Sequence, residues 1–276
     1  MTGRIPRWVA AVEAIDRGAW YAYRATEIVR DELLRAFVDE ALRDRVTARA
    51  YARQSGYLPG GARFEEGLFA WEERALSAPP FPAAGRVLLA AAGGGRELAA
   101  LLARGLSVTA FEPSDFLRAG AVEVARGRDA RVLAGAYGDL PDAVLGRGPL
   151  ASLRDEHYDA VVLGWGSLTH LTRREEHEQT LSAVRALAPT APVLLSFFLR
   201  KEDARGKSVV LRRALRRAFG ALGGRDAPDG VGYEQGGGFV YWFTALEIHE
   251  LAMATGYRVD ALDLSSFPHA TLVPHG

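Results

Sequence analysis

Residues 87–98, VLLAAAGGGREL, join an apolar run to three glycines and two charged residues. Glycines between a buried strand and a helix let a backbone approach a nucleotide closely. In a phosphate-binding P-loop, lysine and then serine or threonine follow the last glycine. Here Arg96 and Glu97 follow glycines 93–95, which argues against an ATP-hydrolysing site.

The residue three positions after Gly95 distinguishes between the two remaining candidate ligands, a dinucleotide and S-adenosylmethionine. A dinucleotide fingerprint needs glycine or alanine there so that the helix packs closely on the strand, and this chain has Leu98. S-adenosylmethionine carries no phosphate and needs small residues against its methionine and ribose, a role that fits the alternation of Ala91, Gly93 and Gly95. Glu112, at the end of the next predicted strand, can accept charge-assisted hydrogen bonds from two ribose hydroxyls.

The elements that must position these residues alternate between strand and helix after about residue 81. This alternation predicts a doubly wound, mostly parallel, seven-stranded sheet with helices on both faces. Thr172 with Glu175, and Thr244 with Glu247, are predicted capping boxes of two of the helices. The predicted strands are RVLLAAA, LSVTAFEP, ARVLAG, YDAVVLGWG, PVLLSFF, YRVDALDL and HATLVP, the last two closing the sheet with one of them antiparallel.

Residues 1–80 predict a helical N-terminal cap, and the prolines of SAPPFPAAG mark its boundary with a core at 81–276. An insertion at about 200–243 interrupts that core. Within the cap, SGYLPGG at 55–61 is a candidate mobile loop that brings Tyr57 over the methionine end of a ligand.

From residue 85 to 274 the chain resembles a class I S-adenosylmethionine-dependent methyltransferase, a Rossmann-like fold. The resemblance rests on GRVLLAAAGGGREL, VTAFEPS and YDAVVLGWGSLTHL, in that order. It implies S-adenosylmethionine as cofactor, S-adenosylhomocysteine as product, and Glu112 as the ribose-binding acid. The implied cofactor-binding residues are Ala91, Gly93, Gly95, Glu112, Pro113, Ala136, Tyr137, Asp139, Gly164 and Trp165.

The chain departs from the family pattern at the start of the glycine turn. Leu89 stands where the family often carries an acid, and Ala91 replaces the first glycine. The partner of the methionine ammonium therefore stays open between Glu97, a main-chain carbonyl such as that of Ala91, and a residue of the N-terminal region.

Candidates for the reaction itself are fewer. His170 in GSLTHL is a candidate general base, because an unperturbed imidazole titrates near neutrality; the alternative is a structural histidine bonded to a backbone group. Tyr21, Tyr233 and Trp242 are candidate substrate contacts on the cap and the insertion. We expect no metal, since no histidine and carboxylate pair has ligand spacing on one predicted face.

Composition limits the function classes. The net charge is zero, which argues against nucleic acid and membrane surfaces as partners, and no apolar stretch is long enough to span a bilayer. We expect a cytoplasmic enzyme that methylates a small molecule, with a homodimer as one expectation for its assembly. The alternatives are an RNA or protein methyltransferase that uses the basic helix 200–217, and a non-catalytic binding protein with a cofactor fold.

Overall fold

Four helices precede the sheet in the computed structural model, which describes residues 6–200, 207–225 and 229–275. The first is 31 residues long, and its buried residues lie only in its last third. The second begins at the N-cap Asp39, whose carboxylate accepts from the Leu42 N–H at 2.9 Å. They are α1 (Arg7–Phe37), α2 (Glu40–Tyr51), α3 (Ala62–Glu65) and α4 (Ala70–Leu76).

A seven-stranded sheet in the order β3-β2-β1-β4-β5-β10-β9 forms the core of the described residues. All neighbouring pairs are parallel except that β10 runs antiparallel to β5 and β9, so the predicted sheet is confirmed. Its strands are β1 (Arg86–Ala90), β2 (Ser107–Glu112), β3 (Ala130–Ala134), β4 (Ala160–Leu163), β5 (Val193–Ser196), β9 (Tyr257–Asp263) and β10 (His269–Pro274).

The winding of the sheet reverses between β1 and β4, which are hydrogen-bonded neighbours although β2 and β3 come between them in the chain. In such sheets the carboxyl ends of the strands at this point form the ligand crevice, and the glycine turn after β1 lies there. The connecting helices are α5 (Arg96–Ala103), α6 (Asp115–Ala125), α7 (Leu140–Val144), α8 (Arg174–Leu187) and α10 (Ala245–Ala254).

The predicted insertion contains a helix and a small second sheet in the order β6-β8-β7. Its helix packs on α1, where the buried Glu32 accepts from Arg212 and Arg216, both at 2.9 Å. Two arginines of the basic helix 200–217, which the RNA or protein alternative would use, are therefore paired with an acid of the cap. Residues 201–206 of that stretch lie outside the described ranges. The elements are β6 (Phe198–Leu199), α9 (Lys207–Ala221), β7 (Val231–Glu234) and β8 (Gly238–Phe243).

One capping box is confirmed and the other was predicted one residue too early. Thr244 and Glu247 bond reciprocally at the start of α10. At α8 the N-cap is Arg173, so the carboxylate that accepts the N–H groups of Thr172 and Arg173 belongs to Glu176 instead of Glu175. Two adjacent glutamates in the first turn made the pattern ambiguous by one residue.

No helix in the described part of the chain is both long and apolar enough to cross a membrane.

Leu101 tests the packing of α5 on the sheet. Its side chain is fully buried in a core cluster that includes residues of β1 and β2, so Leu101→Ala should lower the free energy of unfolding in urea by about 2–5 kcal/mol. Leu246→Ala, at a position 66% exposed on α10, is the matched control and should change it by less than about 0.5 kcal/mol. Equal effects of the two substitutions would contradict this packing.

Candidate functional site

The glycine turn bends through left-handed backbone at alternate residues. The φ angles are 53° at Ala91, 56° at Gly93 and 97° at Gly95. For an alanine this conformation costs about 1–2 kcal/mol. Strain of this kind is held by its surroundings and concentrates at functional sites, so the turn is a candidate ligand-binding position.

Glu112 lies under this turn at the end of β2. Its side chain is 4% exposed, and its two oxygens accept from the Gly93 N–H at 2.8 Å and the Ser114 N–H at 2.9 Å. Burial raises the pKa of the Glu112 carboxyl, and these two backbone donors oppose that effect. Each oxygen keeps a lone pair for a further donor, and a Cβ placed on Gly93 would meet no atom within 4 Å. The Glu112 carboxylate can therefore accept further hydrogen bonds, and there is open space next to Gly93 for a ligand that donates them.

The cap lies directly on the turn. A Cβ on Gly94 would come within 1.9 Å of the Tyr57 carbonyl oxygen, and one on Gly120 within 2.8 Å of Leu58. The loop predicted at 55–61 thus covers the turn and the side of α6 in this structure. Its contact requires glycine at position 94, because any side chain there would displace the loop.

A buried ion-pair network joins the cap to the residue after the turn. Arg96 donates to both oxygens of Glu72 on α4 at 2.6 and 2.7 Å, and to Glu97 at 2.8 Å. All three side chains are at most 8% exposed. The Arg96 guanidinium also lies 4.3 Å from the centre of the Phe69 ring. Such fork-like pairs fix geometry as well as charge, so the network sets how the cap lies over the turn.

The electrostatic balance around the turn is negative. The single positive charge of Arg96 pairs with two carboxylates, Glu72 and Glu97. Glu112 adds a third buried carboxylate beside the turn. Leu89 is fully buried in the apolar core behind it. The site therefore suits a ligand with positive charge better than a phosphate.

The loop after β4 closes the other side of the turn. A Cβ on Gly164 would come within 2.3 Å of the Ala91 carbonyl oxygen, so the two segments touch. The Trp165 N–H donates to Glu97 at 3.1 Å, and the Trp165 ring packs edge-on against Phe69 at 4.8 Å. Trp165 thus bridges the turn and the cap.

The residues expected near an adenine lie after β3. The Asp139 carboxylate accepts from the Ala136 N–H at 2.8 Å and so holds a short 3-10 turn. Tyr137 is 7% exposed, packs edge-on against Phe111, and bonds to Ser167 through its hydroxyl at 2.5 Å. These contacts shape the floor beside the crevice, and direct adenine contact by these residues stays a prediction.

His170 pairs with Tyr51, a residue that the sequence pattern did not single out. The His170 Nδ1 lies 3.2 Å from the Phe239 carbonyl oxygen, and its Nε2 lies 2.7 Å from the Tyr51 hydroxyl. Because a carbonyl only accepts, Nδ1 carries the proton and Nε2 accepts from Tyr51. Burial lowers the pKa of His170 and raises that of Tyr51. The pair is a neutral, part-buried hydrogen-bonded dyad.

The dyad belongs to the same site as the turn. Tyr51 ends α2, and its ring lies 6.4 Å from that of Tyr57, the residue over Gly94. The negative charge of Glu112 contributes to the raised pKa of Tyr51. Thr47 on α2 accepts from the Phe239 N–H at 3.0 Å, which ties the helix of the dyad to β8.

The three residues expected to touch a substrate are not brought together. Tyr21 is 65% exposed on α1 and packs on Trp20. Tyr233 lies between Arg30 and Phe239, and Trp242 packs on Phe198. Their substrate roles stay predictions. Among the described residues no group of three or more histidine, aspartate and glutamate side chains is placed to hold a metal ion.

Comparison with known proteins identifies the fold. No protein-family model and no curated protein matches the sequence. Similar solved structures include an S-adenosylmethionine-dependent methyltransferase from Methanosarcina mazei, with a TM-score of 0.54 and 15% identity over 76% of this chain and 98% of that one. The DhpI–SAH complex has a TM-score of 0.52 and 19% identity, covering 86% and 99% of the two chains.

A third structure covers the whole of this chain. It is the 1,6-didemethyltoxoflavin-N1-methyltransferase of Burkholderia thailandensis with bound 1,6-didemethyltoxoflavin and S-adenosylhomocysteine. Its TM-score is 0.50 at 17% identity, over 100% of this chain and 93% of that one. The described chain therefore has the Rossmann-like methyltransferase fold that its sequence resembled.

The buried network predicts a large effect of Arg96. In Arg96→Met, Glu72 and Glu97 lose their counter-ion while buried, which should lower the free energy of unfolding by about 3–5 kcal/mol. Arg174→Met, at an exposed pair with Glu178, is the control and should cost less than about 1 kcal/mol. Denaturant titrations measure both, and similar losses for the two variants would mean that the network does not hold the cap.

Proposed function

We propose that this protein binds S-adenosylmethionine at the glycine turn and transfers its methyl group to a small molecule. The observation that carries the proposal is the anionic turn: two buried carboxylates, Glu97 and Glu112, flank left-handed backbone with open space above Gly93. A pyrophosphate would be repelled there, whereas an ammonium and a sulfonium would be attracted. Structures of the same fold that contain S-adenosylhomocysteine support this choice of ligand.

Different residues would bind the different parts of the cofactor. Glu112 would accept from the ribose hydroxyls with its remaining lone pairs, and Gly93 would let the ligand approach the backbone. Glu97 is the candidate partner of the methionine ammonium, since Leu89 offers no charge and Glu97 is already fixed by Arg96 and the Trp165 N–H. The cap loop at Tyr57 would exclude water above them.

When bound, S-adenosylmethionine supplies a methyl group activated by a positively charged sulfur. The chain must then hold an acceptor in line and remove its proton where one is present. The Tyr51 hydroxyl can accept that proton while it gives its own to Nε2 of His170. Neither a free tyrosinate nor a charged acceptor has to form first, so the raised pKa of Tyr51 is no obstacle. His170 thus acts through Tyr51 in this proposal.

A small acceptor is favoured over RNA or protein by the cap. The loop over Gly94 and the dyad from α2 enclose the site, and Arg212 and Arg216 of the basic helix are held by Glu32. A polymer would need both the entrance and those cations free.

Calorimetry with S-adenosylmethionine, S-adenosylhomocysteine, NAD and ATP tests the cofactor. The first two should bind, and Glu112→Ala should weaken them by about 1.5–3 kcal/mol, the value of a hydrogen bond to a charged group, or roughly ten- to a hundredfold. Glu123→Ala, on the exposed side of α6, is the control and should leave affinity unchanged. Tight NAD binding without a response to S-adenosylmethionine would overturn the proposal.

Tyr51→Phe and His170→Ala test the dyad. Each should lower turnover of an acceptor that must lose a proton by about 10²–10⁴-fold while leaving cofactor affinity nearly intact. The matched control is Tyr257→Phe, since that buried hydroxyl has no hydrogen-bond partner among the described residues. A loss below about fivefold in both dyad variants would contradict a proton-transfer role.

The pH dependence of turnover tests the role of His170 independently. The neutral form of His170 is the active one, and burial lowers its pKa below the ordinary value of about 6.5. Activity should therefore persist at pH 6.5 and fall only at lower pH. This limb should be absent in His170→Ala, and a limb above pH 6.5 in the wild-type enzyme would argue against His170 as its source.

A further inference from the structure

The N-terminal two thirds of α1 carry an apolar surface that is largely exposed in the described chain. From residue 6 to residue 24 every residue except Val9 is exposed. Trp8 is 71% exposed, Val12 48% and Ile15 69%. Most helical stability in proteins comes from the packing of an apolar face, and Gly18 in the middle of this exposed stretch costs about 1 kcal/mol relative to alanine. A partner along this face would account for its composition.

One row of exposed residues on α1 follows a coiled-coil spacing from Trp8 to Leu33. Steps of four and three residues connect them without interruption, which is the repeat of a helix-pairing seam. At about 100° per residue, this seam lies roughly a third of a turn away from the face buried on α9 and β7. The seam residues are Trp8, Val12, Ile15, Ala19, Ala22, Thr26, Val29 and Leu33.

The seam is complementary to itself when it runs in the opposite direction. Pairing Trp8 with Leu33 of a second copy places Val12 opposite Val29. The same register sets Ile15 against Thr26 and Ala19 against Ala22. Bulky side chains then fill both ends and small ones let the helices approach at the centre, as ridge-and-groove packing requires. Val29 and Leu33 are 40% and 45% exposed, so the second half of the seam is accessible as well.

We propose that two copies of this chain associate through an antiparallel pair of α1 helices along this seam, about 38 Å long at ~1.5 Å per residue. The direction follows from what α1 already packs against. Its buried residues, Ile28, Glu32, Arg35 and Ala36, belong to the last third of the helix. Antiparallel pairing lays each protruding half on the anchored half of the other copy, whereas parallel pairing would leave the two protruding halves supported only by each other.

Charge favours a second copy over a membrane as the occupant. Residues 7–27 contain three arginines, Arg7, Arg17 and Arg24, and three acids, Glu13, Asp16 and Glu27. Helices that lie in membrane interfaces carry a polar face rich in lysine and arginine. The balanced charge here gives no attraction to anionic lipid.

Light scattering of the full chain, with a charge introduced on the seam, is the first test. The wild-type protein should have twice the 29.9 kDa chain mass. Ile15→Glu should raise the dimer dissociation constant by at least about a hundredfold, because the carboxylate would be buried opposite Thr26. Leu246→Glu, 66% exposed on α10, is the matched control and should stay dimeric. A monomer at all concentrations, or a dimer unaffected by Ile15→Glu, would overturn the proposal.

Thiol crosslinking then tests the direction, since the chain contains no cysteine. Val12→Cys and Val29→Cys proteins, mixed and treated with a short bis-maleimide, should give a crosslinked dimer. Neither variant alone should do so, because its two thiols would lie about 25 Å apart along the axis. Crosslinking of each variant alone would indicate parallel helices and contradict the proposed pairing.

Discussion

The ion pair between Arg96 and Glu72 is the interaction on which the arrangement of this molecule depends. This ion pair is buried and bidentate, and it links α5, the first helix of the core, to α4, the last helix of the cap. With it in place, the Tyr57 carbonyl lies on Gly94 and Tyr51 reaches His170. A buried charge that loses its partner lowers the stability of the fold strongly. The cap therefore has one well-defined position over the turn, in which Arg96 and Glu72 are paired.

The same pair sets the charge of the candidate site. The charge of Arg96 is neutralised by ion pairs with Glu72 and Glu97. Arg96 is therefore not available to bind a phosphate, although it follows the glycines directly, as a P-loop lysine does. The buried carboxylates Glu97 and Glu112 then lie beside the turn that leaves open space above Gly93. One arginine thereby holds the cap and is itself paired with acids, which agrees with the sequence argument that Arg96 and Glu97 disfavour a phosphate-binding P-loop.

Features encoded in neighbouring residues could be predicted from the sequence. The sheet follows from alternating apolar runs, and the glycine turn with Glu112 follows from the order of strand, turn and strand. The Tyr51–His170 dyad could not be predicted, because its members are 119 residues apart and Tyr51 lies in an ordinary helical pattern. The small sheet of the insertion was missed for a similar reason: β6 contributes only two residues and pairs with a strand some forty positions later.

Hydrogen exchange with and without S-adenosylhomocysteine tests the central claim most directly, namely that a cofactor lies above Gly93, next to the contact of the cap loop with Gly94. The amides of residues 93–95 and 55–61 belong to different parts of the chain and meet only at this site. S-adenosylhomocysteine should slow exchange in both segments together, and NAD should slow neither. Protection of neither segment by S-adenosylhomocysteine, or of both by NAD, would contradict the account.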